Sequence, residues 1–287
     1  MIDPAAARQH RIVQLRRVGL FLLWLVTCSL ITVVFLGPIL WMVFTAFKPL
    51  AEIRSWPPTF MPTTWTLENF ERAWSIMNWP RLFFNSFFIT MSATIGILFF
   101  SSLAAFAFAR MHFPLKTVIF LIVLATMIVP EQVDLIPRFL MMAEWGLVGS
   151  YTPVILLALV HAFHIFLYRQ FFQSLPQELF DAAKVDGAGY FRMYWSIAMP
   201  LAWPATAALF IFSFLLRWND FLYPLIYLTR EELYTVQLGL AFFQTEAAVP
   251  VGPLMAASIF VAFPTILVYI IFQRHFVRGI VMTGVKG

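Results

Sequence analysis

The chain has 287 residues, of which 61% are hydrophobic and only 11% charged, with a formal net charge of +5 and a mean hydropathy of +0.83. A soluble domain carries about a quarter of its residues as charges, so this composition excludes a soluble globular protein and leaves apolar surface that must face lipid. The single cysteine, Cys28, excludes an intramolecular disulfide and a thiolate metal cluster, and the five scattered histidines have no carboxylates grouped around them for a metal site.

The apolar residues fall in continuous runs near the roughly 20 residues that cross a bilayer as helix, not in the alternation of a barrel. The first run, 18–47, follows a basic leader of Arg8, Arg11, Arg16 and Arg17. It is much too long for a signal peptide, and no small-x-small cleavage site closes it. The others are 82–109, 117–137, 152–168, 201–227 and 253–272. This predicts an all-α, polytopic membrane protein with six spans and both termini on one side. Two parts are expected: residues 1–80, holding the N-terminal tail, first span and outer cap, and residues 81–287, a core of five spans.

Charge gives the orientation. The segments lying with the termini hold Arg8, Arg11, Arg16, Arg17, Arg110, Lys116, Arg169, Lys184, Arg192, Arg274, Arg278 and Lys286, twelve of the 19 basic residues. The other side carries most of the acids, including Glu52, Glu68, Glu71, Glu131, Asp134, Glu144, Glu231, Glu232 and Glu246. By the positive-inside rule both termini are cytoplasmic. The positive net charge then reflects orientation, and no basic run interleaved with aromatics suggests nucleic acid. The outer segment 48–80, with Pro49, Pro57, Pro58, Pro62 and four tryptophans (Trp56, Trp65, Trp74, Trp79), reads as an ordered interfacial cap.

The inner loop, about 170–200, has helix signals of its own. Ser174 and Gln177 match a capping box with Pro176 in the first turn. A helix is expected from there to about Val185, then a turn at Gly187 and Gly189, then a second helical segment, 190–198, ahead of Pro200. Ala182 and Ala183 thin the first helix's surface. Glu178, Asp181 and Asp186 ring it, and Phe180, Phe191, Tyr194 and Trp195 offer apolar contact, a combination suited to docking in a groove. An interfacial re-entrant hairpin without a partner is the plainer alternative.

The pattern Asp181, Ala182, Ala183, three residues, Gly187, nine residues, Ile197, two residues, Pro200 resembles the EAA loop of permease subunits in binding-protein-dependent ABC importers. Asp181 stands where Glu is usual, keeping the charge and shortening the reach by one methylene. Asn85 and Ser86, Trp218, Asn219 and Asp220, Gly252, Pro253 and Leu254, and the tail Phe276, Val277, Gly279, Ile280, Gly284, Val285, Lys286 and Gly287 are similar to the maltose-type carbohydrate-uptake group, in particular its second (MalG-type) permease. The resemblance implies a type I ABC importer permease fold in the inner membrane of a prokaryote. It implies as partners a homologous second permease subunit, two ATPase subunits and an extracytoplasmic solute-binding protein. The solute implied is a sugar or oligosaccharide.

Within that resemblance the loop is the coupling helix. Asp181, Ala182 and Ala183 form its docking face, Glu178 and Asp186 ring it to meet a basic rim on the ATPase, Gly187 sets the turn, and Ile197 and Pro200 anchor it to span five. No Gly-rich loop ending in Gly-Lys-Ser/Thr is present. The chain is therefore expected to be non-catalytic and to bind no cofactor, with ATP and Mg on the partner ATPase.

Polar residues inside spans are costly unless paired or facing water. Arg217 and Asp220, three apart, are expected to pair. Asn85, Trp218, Asn219 and Asp220 are candidates for the substrate pathway; alternatively Trp218 marks the outer interface and Asn219 caps a kink. His161 and His164 read as packing or interhelix hydrogen-bond residues. Pro130, Pro137 and Pro264 should kink or end helices. Glycerol phosphate or another small solute, a secondary transporter and a structural membrane subunit remain as alternatives. An intramembrane enzyme is excluded by the lack of a serine with lysine or histidine, a His-Glu-x-x-His helix or paired aspartates at depth.

Overall fold

A computed structural model of the chain describes residues 4–245 and 250–284, with side-chain surroundings for 16–243 and 250–272. Glu246, Val285, Lys286 and Gly287, and the side chains of Arg8, Arg11, Arg274, Phe276, Val277, Arg278 and Ile280, lie outside the described residues. Every regular element among them is a helix. The chain divides into two compact units, Met1–Ser75 with Val249–Ile259, and Ile76–Ala248 with Phe260–Gly287.

In the first unit, α1 (Pro4–Ala46) is a 43-residue helix. It is largely apolar on all sides beyond Arg17, and Leu23, Val33 and Phe35 are more than 60% exposed, an arrangement that only hydrocarbon accommodates. The segment after it is held by polar side chains. The Glu52 carboxylate, on α2 (Leu50–Ile53), accepts from the Thr59 hydroxyl (2.7 Å) and from the backbone and hydroxyl of Thr63. Those donors, Thr59 foremost, pull its carboxyl down to about 2. Asn69, on α3 (Glu68–Ile76), donates to the carbonyls of Ala46 and Lys48 at 3.0 and 2.7 Å. A side chain at Gly252 would come within 2.4 Å of the Asn69 carboxamide oxygen, so only glycine leaves room for that brace.

The second unit is organised on α4 (Trp79–Arg110), which starts on the Asn78 side chain with Pro80 in its first turn. Ser86, Thr90, Ala93, Thr94, Ile97, Ser101 and Ala105 make a mostly small, buried stripe at helical spacing, which lets two later helices approach closely. After α4 come α5 (Lys116–Ala125) with a 3₁₀ turn at Thr126–Ile128, α6 (Leu135–Glu144), α7 (Thr152–Leu156) and α8 (Ala162–Ser174). Then follow α9 (Gln177–Val185), α10 (Tyr190–Met193), a π turn at Tyr194–Ala198, α11 (Met199–Leu201) and α12 (Trp203–Trp218). The chain continues with α13 (Leu222–Tyr227), a 3₁₀ turn at Glu231–Leu233, α14 (Val236–Thr245) and α15 (Val251–Gly284). Helices α8 and α12 pack on α4. His164 of α8 and Ser213 of α12 share a 2.6 Å hydrogen bond, the interhelix role expected for that histidine.

Six uninterrupted spans are not what forms. Among the described residues three helices are long and apolar enough to cross a membrane, Arg16–Ala46, Trp79–Arg110 and Val251–Phe272, with Tyr190–Leu201 and Trp203–Trp218 as a pair bent by 78°. The expected third, fourth and fifth spans are broken. Pro130 has no N–H and biases Val129 to the extended conformation it adopts, ending the third. The fourth tightens into i→i+3 bonds at Ala158 and Leu159 and is extended at His161. The fifth bends at Ala202 and breaks again between Trp218 and Leu222. Pro264, by contrast, stays inside α15.

Candidate functional site

The loop between α8 and α12 is folded and locked on its inner side. Its first helix does not begin on a capping box. Ser174 is the last residue of α8 and bonds back to the Phe171 carbonyl. Pro176 holds Leu175 extended and so delays the helix to Gln177. Gln177 instead accepts from Arg110 Nη1 at 2.5 Å and donates to Asp181 at 3.0 Å. Arg110, the last residue of α4, also donates to the carbonyls of Phe172 and Leu175, and its guanidinium lies 4.1 Å over the Phe180 ring. One side chain thus ties the end of α4 to the end of α8 and the first turns of α9.

The far end of α9 closes in a Schellman motif. Ala188 N–H bonds to the Ala183 carbonyl (2.8 Å) and Gly187 N–H to that of Lys184 (3.0 Å). Gly187 takes φ +75°, with open space where a side chain would begin, so backbone conformation alone makes it a glycine position. Ala183 and Ala188 are half-buried against the core, whereas Ala182 is exposed.

Phe180 and Tyr194, expected as contact residues, are buried inward, and Tyr194 shares a 2.8 Å hydrogen bond with Ser102 of α4. The open apolar side chains are Leu179, Val185, Phe191 and Trp195, with Val185 88% exposed. Glu178, Asp181 and Asp186 are exposed among them. The Gln177 amide, with Lys184 beside it, holds the Asp181 carboxyl below the usual carboxylate range.

The second segment widens into the π turn, in which Met199 N–H reaches the Tyr194 carbonyl. Pro200 explains the widening: it has no N–H for the Ser196 carbonyl, and its ring would press on that carbonyl in an α-helix. Ile197 is half-buried against the same core and Pro200 is exposed.

The substrate-pathway candidates make packing and capping contacts in this structure. Asn85 is fully buried and satisfied on both sides, donating to the carbonyls of Glu232 and Tyr234 and accepting from the Tyr151 hydroxyl at 2.7 Å. Trp218 is 2% exposed, stacked on Phe214 and Phe83, with its indole N–H on the Val261 carbonyl. In this arrangement both faces of its ring are covered. Asn219 closes α12 on the Leu215 carbonyl and accepts from Gln237. Asp220 lies 3.5 Å from Arg217 and accepts from Tyr223 N–H.

What the sequence reading missed is a polar cavity of about 410 Å³, lined by Glu131, Asp134, Arg138, His161, Arg217 and Tyr223. Arg138 and Asp134 pair at 2.5 Å, while His161 is 3.6 Å and the Tyr223 hydroxyl 3.4 Å from the Glu131 carboxylate. The signal was available: Glu131 and Asp134 lie between Pro130 and Pro137 at the end of an apolar run, with Arg138 directly after. Among the described residues no group of three or more His, Cys, Asp or Glu could hold a metal ion.

A multi-spanning helical protein with a folded, locked loop and a charged cavity belongs among membrane permeases. Residues 97–282 match the binding-protein-dependent transport system inner membrane component family. The arabinooligosaccharides transport system permease protein AraQ of Halalkalibacterium halodurans is 34% identical over 95% of this chain and 99% of its own. The diacetylchitobiose uptake system permease protein NgcG of Streptomyces coelicolor is 32% identical over 93% and 86%. The sn-glycerol-3-phosphate transport system permease protein UgpE of Yersinia enterocolitica is 30% identical over 88% and 95%. A bacterial ABC transporter involved in the import of the acidic polysaccharide alginate has the same fold, with TM-score 0.77, 22% identity and coverage of 96% and 99%. The chain belongs to the binding-protein-dependent transport system inner membrane component family, and is a non-catalytic, multi-pass permease subunit of an ABC importer in the inner membrane.

Proposed function

We propose that this chain is the second, MalG-type permease of a pair that imports a sugar or oligosaccharide delivered by a solute-binding protein, with the 174–200 loop seated on a separate ATPase subunit. The observation that carries the coupling role is the asymmetry of the loop. Its inner side is tied to α4 by Arg110 and Tyr194, and its outer side leaves Leu179, Val185, Phe191 and Trp195 exposed among acids. A rigid body with one bound and one free face transmits a push instead of absorbing it. Glu178, Asp181 and Ala182 with Val185 are the docking face; Ala183 and Gly187 shape the turn behind it; Ile197 and Pro200 join it to α12.

The sugar assignment draws on the relatives that take up arabinooligosaccharides and diacetylchitobiose. Six crossings are retained by counting the broken third, fourth and fifth runs as interrupted spans, which membranes tolerate where the irregular backbone is buried in protein or lines a cavity. On this reading residues 1–80 carry the first span and outer cap, and residues 81–287 form the core. A second permease, two ATPase subunits and the binding protein complete the importer.

The test is ATP hydrolysis by the purified assembly, with Gly187 native and changed to valine. The expected result is an ATPase that co-purifies and is stimulated by the loaded binding protein, and whose stimulation collapses with Gly187→Val. A chain that purifies alone, or an activity indifferent to Gly187, contradicts the reading.

A further inference from the structure

The breaks in the third, fourth and fifth apolar runs have one thing in common. Val129, Glu131 and Asp134 come from the first break, Leu157, Ala158, Val160 and His161 from the second, and Arg217 and Tyr223 flank the third. All line the same cavity. Irregular backbone inside apolar runs costs unpaired N–H and C=O groups unless it faces protein or water. Three interruptions meeting on one polar space mark that space as built.

Its bonding is incomplete. Asp134 Oδ1 is buried without a hydrogen-bond partner. Arg217 makes a 3.5 Å ion pair with Asp220 and, among the described residues, no hydrogen bond. The two contacts of Glu131, at 3.4 and 3.6 Å, are long. Asp134 Oδ1 and the largely buried Arg217 are short of partners and call for an occupant, and the half-exposed Glu131 carboxylate lines the same space with capacity to spare.

We infer that this cavity is a solute-contact site contributed by this subunit, taking one ring of a neutral polyhydroxylated solute. The inference rests on the importer reading above. The volume of about 410 Å³ lies within the roughly 300–1,000 Å³ of small-molecule sites.

Charge selects the class. Each guanidinium already faces a carboxylate, Arg138 with Asp134 and Arg217 with Asp220, and Glu131 adds a further negative group. A phosphate ester or uronate would meet that surplus, and among the described residues each basic group lining the cavity, His161 beside Glu131 included, already faces a carboxylate. Hydroxyl groups both donate and accept, so a sugar ring can bridge Glu131, Asp134 and Arg217 together.

The test uses the assembled importer in liposomes with its binding protein, and three probes: arabinotriose, N,N′-diacetylchitobiose and sn-glycerol 3-phosphate. ATP-driven uptake is measured for native protein, Glu131→Gln and Asp134→Asn, alongside ATP hydrolysis stimulated by the loaded binding protein. The expected result is uptake of a neutral sugar and not of glycerol 3-phosphate. Both variants should raise the KM for uptake about tenfold, as losing one charged hydrogen bond does, with stimulated hydrolysis within about twofold of native. Uptake of the phosphate ester in place of a sugar overturns the inference. So does an unchanged KM in both variants, or a hydrolysing complex that takes up neither sugar. A complex with no stimulated hydrolysis at all fails at the importer reading instead, which separates the two.

Discussion

The loop at 174–200 and the polar cavity are held together in opposite ways. The loop is tied at many points inside: Arg110 bonds to Gln177, Phe172 and Leu175 while stacking on Phe180, although its Nε is left without a partner, and a complete Schellman motif ends α9. Its open side is largely apolar. The cavity is open inside, with long contacts at Glu131 and an unpaired Asp134 oxygen. A part that transmits force gains from spent bonding capacity, whereas a part that holds a passing solute gains from capacity left over.

Removing the lock should have the largest effect. Arg110→Ala strands two carbonyls and the Gln177 carboxamide, costs about 3 kcal/mol locally, and should lower ATP-driven uptake by at least about tenfold while the complex still assembles. Uptake near native would show that the loop does not need its tie to α4. Gly187→Val should be next: a β-branched residue at φ +75° costs about 1–2 kcal/mol, and Gly187→Asn, which tolerates that conformation, should keep most of the binding-protein stimulation. Equal loss in both variants would mean that the side chain, and not the backbone, matters.

Asn85→Ala should act on stability and leave the loop alone. It removes the donor shared by the carbonyls of Glu232 and Tyr234 and the acceptor of the Tyr151 hydroxyl, leaving Glu232 with Arg81, costs about 2 kcal/mol, and should lower the Tm in detergent by several degrees. An unchanged Tm would remove its bracing role.

The smallest effect concerns Glu52. Its carboxyl is lowered from 4.5 to about 2 by Thr59 and Thr63, so its contribution is complete above pH 4.5 and is lost as pH falls from there through 2. Glu52→Gln should flatten that part of the Tm against pH curve. A native-like curve would place the acid sensitivity elsewhere.

The same contrast explains what could be read from sequence. The loop occupies one continuous stretch, so its helix boundaries, its glycine turn and its link to span five were written in local order. The capping box failed because Pro176, taken as a first-turn residue, displaces the start of α9. The inward turn of Phe180 and Tyr194 depends on Phe106, Arg110 and Ser102, far away in the chain. The cavity joins residues near 131, 161 and 217, and no window of sequence contains all three. Trp218 and Asn85 looked like pathway residues because polar or aromatic groups in a span suggest water. Their partners, the Val261 carbonyl and the 232–234 backbone, lie dozens of residues or more away.

The central claim is that the open face of α9 lies against the ATPase. The most direct measurement is cross-linking from a single cysteine at that face, with Cys28→Ser as background and Val185→Cys as probe, in the assembled importer. A specific cross-link to the ATPase subunit, whose yield changes when ATP binds, is the predicted result. An ATPase that co-purifies but never cross-links to Val185→Cys would contradict it.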